Sequence, residues 1–135
     1  MGLPKFQVFM SPVVDLTRSG KSFVEKTKKD PFSLKKSFFI DDNYIQGNDP
    51  ANPKFSPIFG NLLLMPSTLI QASEYDVFLS DSEMLAAKLK DAGVDVSYSL
   101  WKKLWHNFQI SYTLLPEGKR ALNEIRCFVS SYFTT

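Results

Sequence analysis

The 135 residues contain one cysteine and one histidine, so the side chains most used for disulfides, redox chemistry and metal binding are almost absent. Cys127 alone cannot close an internal disulfide, and folding therefore does not rest on an oxidising compartment. One histidine, one cysteine and no ligand pair at useful helical spacing exclude the usual metal sites, and no cofactor is expected. Long hydrophobic runs are missing too: none reaches the roughly 20 residues of a membrane helix, and no signal peptide pattern is present. The expectation is a cytoplasmic protein without a membrane span. Excess charge of either sign is also lacking, with 16 Lys plus Arg against 14 Asp plus Glu and a formal net charge of +2. The basic residues are dispersed apart from Lys26, Lys28 and Lys29 and again Lys35 and Lys36, which argues against a nucleic-acid face. "GKS" at 20–22 lacks the upstream glycine of a phosphate loop and follows no strand directly. Internal repeats and low-complexity tracts are absent.

What is present is a large apolar load, 44% hydrophobic residues with 12 Phe, in a length suited to one core. "FQVFM" (6–10) is a short apolar run that stops at "SP", where proline ends ladder bonding. "STLIQAS" (67–73) and "DVSYSLW" (95–101) are two further strand candidates, the latter alternating Val96, Tyr98 and Leu100 with serines. Between them "SDSEMLAAKLKDAG" reads as a helix. Ser80 and Glu83 have capping-box spacing, Leu85, Leu89 and Ala92 form a stripe, and Gly93 is a stop. Strand, helix and strand in this order make a βαβ unit with parallel strands. "PEGKRALNEIRCFVSSYF" (116–133) carries Ala121, Ile125, Phe128, Val129 and Tyr132 on one stripe and should cover the sheet, with Cys127 a small buried hydrophobe on its apolar side. "SLKKSFFIDDNYI" (33–45) looks helical and "QGNDPANPKFSP" (46–57) is turn-rich, so the excursion from Asp15 to Pro66 is suited to carrying part of a ligand site or lid.

Ligands of open parallel sheets bind beyond the carboxyl ends of the strands. Asp76, within "EYDVFLSDS", and His106, within "KKLWHNF", both fall there, on loops that adjacent parallel strands would bring together. A carboxylate accepting from one imidazole nitrogen fixes the tautomer and leaves the other nitrogen to take a proton from a nucleophile. The bland alternatives are a helix-capping carboxylate and a packed, hydrogen-bonded histidine. Ser11, before Pro12 at a strand end, is better suited to bonding a turn amide than to attacking a substrate.

Read together, "SPVVDLT" (11–17), "DPFS" (30–33), the stretch from Asp49 to Trp101, "WHNFQ" (105–109) and "LLPEGKRALNEI" (114–125) resemble the C-terminal part of α/β-hydrolase esterases related to hormone-sensitive lipase. The resemblance runs over nearly the whole chain. It implies a partial α/β-hydrolase fold over residues 1–135, about three parallel strands with flanking helices, corresponding to the family's sixth to eighth. It also implies that Asp76 matches the acidic member of the triad and His106 the base, with Phe108 in the family's aromatic position. The order of acid before base agrees with that fold. Lys102, Lys103 and Leu104 stand where the family commonly has Gly and Met, a loss of glycine that alters how His106 is presented. Ser80 stands where the family often has an acidic residue.

No G-x-S-x-G pentapeptide and no His-Gly-Gly loop occur in the chain, so the nucleophile serine and the oxyanion amides are missing. The expectation is a truncated serine-type carboxylic ester hydrolase, inactive alone, whose complete form cleaves small acyl esters. A second reading is an interaction module or split-enzyme half that adds its open edge strand "FQVFM" to an N-terminal half or to another copy. A third is a ligand-binding aromatic surface around Phe38, Phe39, Trp105 and Phe108. Exposed Phe and Leu are expected wherever the sheet lacks cover.

Overall fold

The computed structural model describes residues 4–31 and 43–133. Three strands, β1 (Phe6–Met10), β2 (Ser67–Ser73) and β3 (Val96–Trp101), form one sheet in the order β1-β2-β3. Both pairings are parallel, with Val8 opposite Leu69 and Ile70 opposite Tyr98. Among the described residues, helices accompany them: a single turn, α1 (Ser22–Glu25), then α2 (Leu79–Asp91) between β2 and β3, and α3 (Pro116–Ser130) after β3. The strand, helix and strand expected from the sequence are thus in place, as are three parallel strands with flanking helices. Of the segment 33–45, residues 33–42 lie outside the described residues, as do Phe38 and Phe39, while Asn43 to Ile45 make a helical turn.

β2 is central and covered on both faces, which is why it reads as an apolar run and not as an alternation. Ile70 joins Val14, Ile58, Leu62, Leu85, Ala86 and Leu89 in the main core, beneath α2. Each of the Val, Leu and Ile side chains contributes about 1.5–3 kcal/mol by leaving water. On a separate core, Leu104, Phe108 and Ala121 pack with Trp101, Trp105 and Leu115, joining the end of β3 to α3. Gln71, wholly buried, crosses to α3: its amide donates to Ala121 O (2.9 Å) and to Glu124 Oε2 (2.6 Å), and its carbonyl accepts from Gln109 (2.9 Å). A buried amide so engaged ties α3 to one register on the sheet.

α2 ends as Gly93 allows. With φ +78° it takes the left-handed turn, its N–H bonds Lys90 O and that of Val94 bonds Leu89 O, the paired closure that satisfies the last carbonyls. The start of α2 differs from the expected capping box, since the helix already begins at Leu79 and no side chain caps it. Ser80 instead forms a reciprocal clamp with α1: Ser22 N–H donates to Ser80 Oγ (3.1 Å) and Ser80 N–H donates to Ser22 Oγ (2.8 Å). Tertiary partners have replaced the local ones. Cys127 is exposed and not buried, because the inward face of α3 is defined by Ala121 and Phe128.

The outer edges of β1 and β3 have no strand beside them among the described residues. Exposed apolar side chains include Leu63, Leu64, Leu114 and Phe133, in loops and just past the end of the last helix, and Met10 and Leu100 on the two edge strands. No helix among the described residues is long and apolar enough to cross a membrane.

Candidate active site

Beyond the carboxyl end of β2 the chain turns tightly through Glu74 and Tyr75 to Asp76, then enters α2. Asp76 N–H bonds Ser73 O, Leu79 N–H bonds Asp76 O, and Phe78 N–H donates to Asp76 Oδ1 (2.8 Å), so the carboxylate is fixed by its own turn. Asp30 adds a tether from outside, accepting Val77 N–H at 3.1 Å, while Ser22 Oγ–H donates to Val77 O (2.8 Å). The loop after β3 is zipped to the same turn. Glu74 N–H bonds Trp101 O, Tyr75 N–H bonds Leu104 O, and Lys103 N–H donates to Glu74 Oε2 (2.7 Å).

The two residues singled out in the sequence meet across these loops. His106 Nδ1 lies 3.2 Å from each carboxylate oxygen of Asp76. Asp76 is fully buried, whereas the His106 side chain is 15% exposed, so the pair has a sealed acidic end and an accessible basic end. Phe78 presents its ring to the imidazole at 5.3 Å, edge to face, and Phe23 backs Phe78 at 5.9 Å. On the far side of the ring, Nε2 accepts from the Asn107 side-chain amide at 2.9 Å. With Nε2 an acceptor, Nδ1 carries the proton and donates to Asp76. Chemically, the arrangement can take up a proton at Nε2 while a buried carboxylate stabilises the resulting imidazolium.

The loop after β1 completes the floor. Ser11, 2% exposed and at φ 48°, donates its N–H to Gln71 O and accepts Asn107 N–H at 3.3 Å, a turn-amide role and not that of a nucleophile. Asp81, in the first turn of α2, accepts Val14 N–H (2.8 Å) and Asp15 N–H (2.9 Å) through one oxygen. Burial pushes its carboxyl up to about 6, assisted by the charges of Asp15 and Asp76, although the two amides act the other way. Asp15 is also buried, yet bonds from Thr17 and Ser19 outweigh that effect and hold it below the usual carboxylate value. Lys103, in the stretch where the resemblance implies Gly and Met, takes φ 58°, the left-handed conformation that suits glycine.

Sequence reasoning passed over Asn107, Asp30, Ser22 and Asp81. Only Asp30 carried a signal, a "DP" pair that marks a turn. Of the expected aromatic ligand surface, Phe108 is fully buried in the core under α3 and Trp105 packs against that core, while Phe38 and Phe39 lie outside the described residues. The excursion from Asp15 to Pro66 does contain a cleft of about 460 Å³, lined by Leu16, Arg18, Ile45, Gly47, Asn48 and Pro50. Neither Asp76 nor His106 lines it. No cluster of His, Cys, Asp and Glu able to hold a metal is found among the described residues.

A sequence profile described as alpha/beta hydrolase fold matches residues 2–110. An esterase of Acinetobacter venetianus is 34% identical over 136 aligned residues, which take in 96% of this chain and 43% of that protein. An acetyl-hydrolase of Streptomyces hygroscopicus is 30% identical, with 94% of this chain and 43% of that protein aligned. Among solved structures, a hormone-sensitive-lipase homologue from a metagenome library superposes with a TM-score of 0.93 at 29% identity, over 98% of this chain and 46% of its own. An esterase from the bacterial hormone-sensitive lipase family gives 0.88 at 33% identity, over 94% and 43%. The chain therefore spans less than half the length of these relatives. The match over most of its residues, with three parallel strands and flanking helices in common, makes this chain a member of the α/β-hydrolase fold family that corresponds to the C-terminal part of hormone-sensitive-lipase-like esterases.

Proposed function

We propose that this chain supplies the acid and base of a serine-type carboxylic ester hydrolase, with Asp76 orienting His106 and His106 acting as general base. The observation that carries this reading is the Asp76–His106 pair, 3.2 Å apart, with the carboxylate sealed and the imidazole accessible. In the complete site, Nε2 takes the proton of a serine hydroxyl as its oxygen attacks the ester carbonyl. Asp76 stabilises the imidazolium, which then returns the proton to the departing alkoxide. Water, deprotonated by the same nitrogen, releases the acyl group. Small acyl esters are the substrate class, as the names of the esterase and acetyl-hydrolase relatives suggest. The chemistry requires no cofactor.

No G-x-S-x-G serine is present in the 135 residues, so the chain on its own is inactive. Without oxyanion donors the barrier also loses stabilisation worth roughly 10²–10³ in rate for each donor. The outer edge of β1, with no strand beside it among the described residues, favours a second reading, in which a nucleophile-bearing N-terminal half docks there. Hydrolysis of a short-chain p-nitrophenyl ester tests both. The purified chain should match background, and activity should arise on mixing with the N-terminal portion of the Acinetobacter venetianus esterase and vanish with His106→Ala. Hydrolysis by the chain alone that is lost in His106→Ala would mean that a nucleophile lies within it, contradicting the proposal.

A further inference from the structure

The contact on the outer side of His106 is supplied by this chain itself. Asn107 Nδ2 donates to Nε2 at 2.9 Å, on the nitrogen opposite the one facing Asp76. The amide reaches it because Asn107 stands at φ 53°, a left-handed conformation that asparagine tolerates better than most residues. Its backbone is pinned there, with its N–H on Ser11 Oγ at 3.3 Å and Ser11 in turn bonded through its N–H to Gln71 O on the central strand. Phe108, the next residue, is wholly buried and anchors the other side of the turn.

Asp76 favours a proton on Nδ1 but would equally stabilise a doubly protonated ring. A donor already seated on Nε2 discriminates between the two, because the lone pair that would receive a second proton is engaged. We infer that Asn107 is a positioning residue that holds His106 in the Nδ1–H form and reserves Nε2 as an acceptor, standing where a nucleophile's hydroxyl would donate. The inference builds on the reading of His106 as a base. A docked serine would displace the amide and not a proton, so the ring is kept ready for proton transfer.

Because the chain has one histidine, its ring nitrogens give unambiguous nitrogen-15 spectra. At alkaline pH, the intact chain should show the proton on Nδ1 and an unprotonated Nε2 that accepts from the Asn107 amide. Asn107→Asp is isosteric and tolerates the left-handed turn, but replaces the donor on Nε2 by a carboxylate acceptor, so Nε2 should carry a proton while Nδ1 keeps its own toward Asp76. Asn107→Ala should raise the rate at which diethyl pyrocarbonate acylates the ring severalfold, since the reagent needs a free nitrogen lone pair, with circular dichroism confirming that the fold is kept. A proton on Nε2 in the unaltered chain, or identical spectra for the unaltered chain and Asn107→Asp, would overturn the inference. These readouts need no nucleophile, so a failed reconstitution of esterase activity would leave the result standing.

Discussion

Lys103 carries a backbone strain in the stretch where the family resemblance implies a glycine. Its φ of 58° puts a side chain where L-residues lose roughly 1–2 kcal/mol, and glycine recovers most of that while giving up some unfolded-state entropy. Lys103→Gly should therefore stabilise the chain by about 0.5–1 kcal/mol and raise Tm by about 2–5 °C in a thermal melt. Asp81 gives a second residue-scale prediction. Burial raises its carboxyl from 3.8 to about 6, so the folded chain holds this proton more tightly than the unfolded chain does. Its contribution favours folding below pH 3.8 and is lost as pH rises through about 6, an effect of at most about 3 kcal/mol. Asp81→Asn keeps an oxygen for the Val14 and Asp15 amides and removes the titration. The slope of Tm against pH between about 4 and 7 should shrink in that variant, and an unchanged slope would show that Asp81 does not set it.

At the scale of elements, the join between α1 and α2 rests on the Ser22–Ser80 clamp, two reciprocal bonds between buried residues. Ser22→Ala removes the acceptor of Ser80 N–H and Ser80→Ala the acceptor of Ser22 N–H, so each should cost about 1–2 kcal/mol in denaturant unfolding and the double variant about their sum, since each change breaks only one of the two bonds. A clear departure from additivity would mean that the bonds do not act independently. α3 depends on close approach at Gly118, where an added Cβ would come within 2.8 Å of Tyr112 Cα. The elements themselves were readable because their signals are local. The run in β2, the Leu85 and Leu89 stripe and Gly93 each state a period or a stop within a few residues. The capping box failed because Ser80 is separated from Ser22 by 58 positions, and a tertiary partner outcompeted the adjacent Glu83. Cys127 was misassigned for a related reason: the helical stripe on α3 is broad enough to admit it, and only the docked orientation of Ala121 decides which edge of the stripe faces solvent. Asp76 and His106 were legible as loop residues beyond strand ends, whereas nothing declared Asn107 and the "DP" pair at Asp30 declared a turn but not its bond to Val77, since both roles exist only once the loops are brought together.

Taken as a whole, the described residues form a three-stranded sheet with no strand among them on the outer side of β1 and with Leu63, Leu64 and Leu114 in solvent. An apolar free edge invites another strand. Sedimentation should accordingly show mass rising with concentration, and a monomer at every concentration would count against an associating edge. The central claim is that His106, oriented by Asp76, is the base of an ester hydrolase. Its most direct test is to replace the matching portion of the Acinetobacter venetianus esterase by this chain and compare hydrolysis of a p-nitrophenyl ester by the fusion and by its His106→Ala variant. The account predicts an active fusion whose kcat falls by about 10³-fold or more in the variant. A fusion that hydrolyses the ester equally well without the imidazole would contradict it.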